Sequence, residues 1–174
     1  YIMVMLFIPL FVVAPVSGTL SDRIGSRMLC TLGMGVLAIA FFSVSRMPSV
    51  SDPFPIIWHL SLIGIGTAIF ISPNSAIAMT AVPPAHKGVA AGTVATARNL
   101  GMALGIALTS AIFNSTFYTL SGGRTLNIYQ PELEPFFMGA FRYAMTAGGI
   151  VAVIGMILAF LRGPDSSPQN NHQI

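Results

Sequence analysis

The chain has 174 residues, of which 54% are hydrophobic and only 7% charged, and its mean hydropathy is +0.79. Eight basic and five acidic side chains cannot clothe a soluble domain of this size, where about a quarter of residues are charged, so lipid is the solvent for most of the protein. The cations behind the formal charge of +3 form no basic stripe and have no aromatic interleaving, which excludes nucleic acid as a partner. The single cysteine, Cys30, excludes an intrachain disulfide and a cysteine metal cluster.

A membrane-spanning helix needs about 20 mainly apolar residues. Five stretches qualify, over residues 1–20, 28–45, 55–82, 88–117 and 138–161. None alternates strictly in and out as a barrel strand does, and each must satisfy its own backbone hydrogen bonds in lipid, so all five are predicted helices. The chain begins inside an apolar run with no basic leader, which reads as a chain cut within a membrane segment rather than a signal peptide. The polar end over 163–174 is predicted to be a disordered tail.

The first joint concentrates charge. It reads Gly18-x-x-x-Asp22-Arg23-x-Gly25-x-Arg27. Gly18 lets a neighbouring helix approach, Gly25 permits a tight reversal, and Asp22 is placed to pair with Arg23 or Arg27 or to cap a helix. A plain interfacial anchor would explain the charges but not both glycines with this spacing. Five specified positions coincide by chance on the order of once in a million starts.

Further along, the third span is 28 residues and about 42 Å long as a straight helix, more than the hydrocarbon core of about 30 Å. Pro73 lies within it, and a kink over 69–73 is expected because proline removes a donor and crowds the carbonyl four residues back. Trp58 and His59 near its start fit an interfacial aromatic belt, with a pH-sensing histidine as the alternative. Ser72 and Asn74 are polar candidates for interhelical hydrogen bonds or substrate contact.

The fourth span carries two small-xxx-small pairs, Gly88 with Gly92 and Gly101 with Gly105. Such surfaces serve close static packing or a smooth face for moving bundles, and the sequence does not separate the two. Arg98 is the one charge well inside a span. It sits ten residues past Gly88, about 15 Å along the helix, which suggests a mid-membrane depth. A guanidinium there either lines a substrate path or gate, or bonds structurally to exposed carbonyls. Asn99 is its polar neighbour.

Asp22, Asp52, Glu132, Glu134 and Asp165 all fall in predicted loops or the tail. No buried carboxylate is then available here for proton coupling, which normally uses one. His86 lies in a loop and His172 in the tail, no two histidines have metal-ligand spacing, and no serine–histidine pair suits an intramembrane protease. Enzymatic activity, a metal site and a cofactor are not expected. Arg23, Arg27, Lys87 and Arg162 fall on one side of the membrane, and Arg46, Arg124 and Arg142 on the other. That excess places the carboxyl end in the cytoplasm.

The joint from Gly18 to Arg27 resembles the signature loop of the major facilitator superfamily, which joins the second and third helices of each six-helix bundle. The runs Gly64-Ile-Gly-Thr-Ala-Ile-Phe-Ile-Ser-Pro-Asn74, Val82-Pro-Pro-Ala-His-Lys-Gly-Val-Ala-Ala-Gly92 and Ala97-Arg-Asn-Leu-Gly-Met-Ala-Leu-Gly105 are similar to late helices of its drug-efflux members, especially the fourteen-helix drug:proton antiporter branch. So is the run beginning Phe141-Arg-Tyr-Ala-Met-Thr-Ala-Gly-Gly, followed by Leu161-Arg162. The resemblance implies an all-α membrane protein whose five helices form an incomplete carboxyl-terminal bundle. The first helix of that bundle and the amino-terminal bundle would be the missing partners.

Alternating-access transport of an apolar or cationic small molecule follows, as multidrug efflux by proton antiport from a bacterial inner membrane. The joint would act as a conformational switch. Arg98, Asn99, Pro73 and Asn74 would shape the path or gate. Two alternatives stand beside it, a transporter of a nutrient or metabolite and a complete five-span scaffold or complex subunit.

Overall fold

The computed structural model describes residues 13, 15–21, 24–47, 53–124 and 131–162. The rest of the predicted first span, the tail over 163–174, and Asp22 and Arg23 of the first joint lie outside them. The architecture is all-α. A short helical piece, α1, covers residues 15–21, and four long helices follow: α2 Ser26–Ser45, α3 Pro53–Thr80, α4 Lys87–Leu120 and α5 Glu134–Leu161. Single turns of 3₁₀ helix at Pro84–His86 and Pro131–Leu133 lead into α4 and α5. Each of the four long helices is long and apolar enough to cross a membrane.

Helix α2 is the hub, packed between α3 and α5. Its buried residues, among them Leu29, Cys30, Gly33, Ala38, Ala40 and Val44, face both neighbours. Toward α3 the backbones nearly touch. A Cβ added to Gly33 would lie 2.8 Å from the Phe70 nitrogen, and one on Gly66 would lie 3.0 Å from the Leu37 nitrogen and 3.2 Å from the Gly33 carbonyl oxygen. In lipid, apolar burial gives helices little reason to associate, so close backbone contact of this kind supplies the attraction. Toward α5 the fit is of large groups over small ones. Phe41 and Phe42 lie against Gly148 and Gly149, and Met34 against Gly155.

Helix α4 leans chiefly on α5 and touches α3 only lightly. Its contact with α5 is made near its carboxyl end, where Phe117 is buried with Leu133 and Ala140 and Phe113 packs alongside. The Phe113 ring stacks on Phe117 at 6.2 Å and meets Phe137 edge-on at 5.2 Å. The helix closes on Gly122 and Gly123, both at positive φ (71° and 91°), with the Gly123 N–H donating to the Tyr118 carbonyl. Such a left-handed ending suits residues without a Cβ.

Toward its amino end α4 stands away from the other helices. Val89 there is 71% exposed, and midway along the helix Leu104 and Ile106 are each 69% exposed. Large exposed apolar faces of this extent mark a membrane or protein-binding surface. Trp58 and Phe54 on α3 and Ile39 on α2 are exposed in the same way.

Candidate functional site

The first joint is built around Gly25. It sits at φ 92° and forms the amino-terminal cap of α2 without any side-chain cap, a conformation that a Cβ would strain. Its N–H donates to the Ser21 carbonyl at 3.0 Å, and the Ser21 and Ser26 hydroxyls bond across the turn at 2.8 Å. Gly18 meets α3, since an added Cβ would fall 3.2 Å from the Ser72 Oγ. Next to it the buried Ser17 hydroxyl donates to the Ala68 carbonyl at 3.1 Å. The Arg27 guanidinium lies over the Phe160 ring, 4.8 Å from its centre. A cation–π contact therefore ties the joint to the last turn of α5.

Pro73 is fully buried and sits inside the continuous helix α3. The carbonyl of Ile69 has no proline N–H to receive, and the Ser17 bond to Ala68 falls one residue away. Around Pro73, α3 thus takes a polar contact from α1 one residue before the carbonyl that loses its partner.

Arg98 and Asn74 come together. Both line a pocket of about 390 Å³ with Phe70, Ile71, Val94 and Arg162 among its walls. The Arg98 Nη2 donates to the Ser75 Oγ at 3.2 Å. Arg162 follows the last residue of α5, so Arg98 lies toward the end of the bundle at which α5 stops. Asn99 is exposed and is not among the residues lining this pocket.

The glycines of α4 take a different position. Gly88, Gly92, Gly101 and Gly105 have nothing within 4 Å of an added Cβ. Close packing between described helices falls instead on Gly33, Gly66, Gly149 and Gly155. Gly101 and Gly105 do line an apolar groove of about 770 Å³ between α2, α4 and α5, with Met34, Phe41, Ala144 and Val151 on its other walls.

His59 is held on both ring nitrogens, by the Pro55 carbonyl at 2.5 Å and the Ser43 hydroxyl at 3.0 Å. The neighbouring Trp58 ring is 62% exposed. His59 thus links α3 to α2. Arg142 makes a similar tie, its Nε donating to the Ser45 carbonyl at 3.1 Å. Sequence reasoning did not assign Ser75, Arg162 or Phe160 to these sites. Their partners are distant in sequence, and no spacing rule joins them.

The sequence profile of the Major Facilitator Superfamily matches residues 1–174. Three bacterial relatives are similar to the chain. An uncharacterized transporter, YebQ, of Escherichia coli (strain K12) is 36% identical over 103 residues, which is 59% of this chain and 22% of the relative. The riboflavin transporter RibZ of Clostridioides difficile (strain 630) is 28% identical over 169 residues, covering 96% of this chain and 36% of the relative. The multidrug resistance protein Stp of Mycobacterium tuberculosis is 33% identical over 106 residues, 58% of this chain and 19% of the relative. The chain thus spans no more than about a third of the length of these relatives. Apolar helices of membrane-spanning length, the Gly25 joint and a family match along the whole sequence lead to one conclusion: this chain is an integral membrane protein that belongs to the major facilitator superfamily, a family of transporters rather than enzymes.

Proposed function

We propose that the chain is part of the carboxyl-terminal bundle of a transporter that expels apolar or cationic small molecules in exchange for protons. Two bundles would rock about a central site, the general scheme of alternating access. The observation that carries the substrate class is the apolar character of the exposed helix surface. Beyond its first residue, Lys87, the open face of α4 is interrupted by a single charge, Arg98, and the groove beside it is lined almost wholly by apolar side chains. Such surroundings suit a greasy solute better than one rich in hydrogen-bonding groups. The similarity to a protein named for multidrug resistance supports the same reading.

Among the described residues the acids Glu132 and Glu134 lie at the start of α5, away from any helix interior. In this reading the coupling carboxylate would lie in the rest of the intact protein. The joint from Gly18 to Arg27 would steady one conformation by contact with the other bundle. The sequence count of Arg23, Arg27, Lys87 and Arg162 against Arg46, Arg124 and Arg142 supports a cytoplasmic carboxyl end in an inner membrane.

A second reading is favoured by the riboflavin transporter, whose similarity extends over 96% of this chain. In that reading the solute is a nutrient or metabolite. The two separate in one experiment, with the intact protein expressed in an efflux-deficient bacterium. Lower accumulation of a cationic dye, restored by a protonophore, supports drug:proton exchange. Unchanged dye accumulation with altered riboflavin uptake would give the site to the nutrient. The Asp22→Asn variant is expected to insert normally and lose most of this transport. Full dye efflux by normally expressed Asp22→Asn protein would remove the case for a switch in the joint.

A further inference from the structure

The pocket shared by Arg98 and Arg162 has more cationic donors than described partners. A guanidinium offers five N–H groups, and the side-chain bond made by Arg98 goes to a neutral hydroxyl, that of Ser75. The acids of the described residues, Glu132 and Glu134, begin α5 and lie at its opposite end. At the pocket's own end of the bundle the described charges are Arg27, Lys87, Arg98 and Arg162, all positive. Cations in apolar surroundings are costly unless an anion, a carbonyl or water meets them.

Depth identifies the anion. Helix α5 carries no charge from Pro135 to Leu161 except Arg142, so Arg162 marks the boundary where hydrocarbon gives way to headgroups. The pocket lies at that level. Its polar side is formed by Arg98, Arg162 and Asn74, and its other walls by Phe70, Ile71, Ala78, Val94 and Ala97. A polar rim facing the headgroup layer and an apolar wall running into the bilayer suit an amphiphile with a negative head. The planar fork of arginine matches the oxygens of a phosphate.

We propose that Arg98, Arg162 and Asn74 form a binding site for the phosphate group of an anionic phospholipid, whose glycerol and upper acyl chain rest on Phe70, Ile71 and Val94. Bound there, the lipid would join α3, α4 and the end of α5, which share little other contact at this end. Lipid at this site would hold α4 in place against α3.

The intact protein, reconstituted in vesicles of phosphatidylcholine doped with phosphatidylglycerol, tests this. Lipid retained after gentle extraction is measured by mass spectrometry. Wild-type protein is expected to enrich phosphatidylglycerol, and R98Q/R162Q to lower that enrichment about tenfold or more. R98K/R162K, which keeps the charge without the planar fork, is expected to restore part of it, and R124Q at the opposite end to change nothing. Absence of enrichment in the wild type, or its persistence in R98Q/R162Q, would overturn the proposal, as would failure of the lysine rescue. Stabilisation by inorganic phosphate without phosphatidylglycerol enrichment would give the site to a soluble anion instead. Enrichment seen only in D165N would give it to the chain's own carboxyl end. Either result also overturns the lipid assignment.

Discussion

A methyl group added at Gly33 would sit 2.8 Å from the Phe70 nitrogen and 3.0 Å from its Cα, both backbone atoms that cannot rotate away. The Gly33→Ala variant must therefore push α2 and α3 apart, and overpacking of this kind costs about 1–3 kcal/mol. The expected result is a clear drop in the melting temperature of the purified intact protein. Gly88→Ala meets open space and gains helix propensity of about 0.5–1 kcal/mol, so it should melt at or slightly above wild type. Equal melting of the two variants would contradict the close approach of α2 and α3. The sequence draws attention to Gly88, Gly92, Gly101 and Gly105 because each pair is spaced within one helix. Gly33 and Gly66 lie in separate helices and become partners only when the helices cross. Spacing along one chain segment cannot express that relation.

The helices themselves are legible in sequence because hydrocarbon demands uninterrupted apolar runs. Their ends are less so, since a helix does not stop where lipid stops. Helix α5 begins at Glu134, with an acid in its first turn and Pro135 close behind. Both favour a helix start without belonging to a lipid-facing stretch. Helix α4 likewise runs on to Leu120.

Two ties between elements lead to predictions. The Arg142 Nε holds the Ser45 carbonyl, one of the last of α2, whose acceptors have no partner within their own helix. Arg142→Gln should lower stability by about 1 kcal/mol, with Arg142→Lys intermediate, as read by thermal unfolding. Unchanged unfolding of Arg142→Gln would show that the bond adds nothing. Pro73→Ala restores a donor for the Ile69 carbonyl and removes the ring that crowds it. Because Asn74 and Ser75 follow directly, the change is expected to shift them relative to Arg98. Transport is expected to fall while melting stays within about 1 kcal/mol of wild type, and wild-type transport would show that the proline has no part in the path.

At the scale of the whole molecule, the arrangement in the bilayer follows from where exposed aromatics and charges lie. Trp58 is the one tryptophan of the chain, largely exposed near the start of α3. Nitroxide lipids labelled near the headgroup should quench its fluorescence more strongly than lipids labelled at the acyl terminus. The reverse order would place the start of α3 deep in hydrocarbon and undo the belt assignment. The arginine pocket was only half legible. Asn74 and Arg98 stand out as polar residues in apolar runs, but Arg162 reads as an ordinary flanking charge until the bundle brings it beside them.

One dimension of α4 reaches further. Its 34 residues make a rod of about 51 Å, well beyond a hydrocarbon thickness of about 30 Å. Its opening turns carry Lys87, Gly88 and Gly92, all exposed, and neither glycine has a neighbour to brace it. Backbone amides over 91–96 should exchange their hydrogens for deuterium far sooner than those over 113–118, where the phenylalanine cluster holds the helix. The same helix is then a fixed post at one end and unbraced by its described neighbours at the other, so whatever grips that free end sets how firmly it is held.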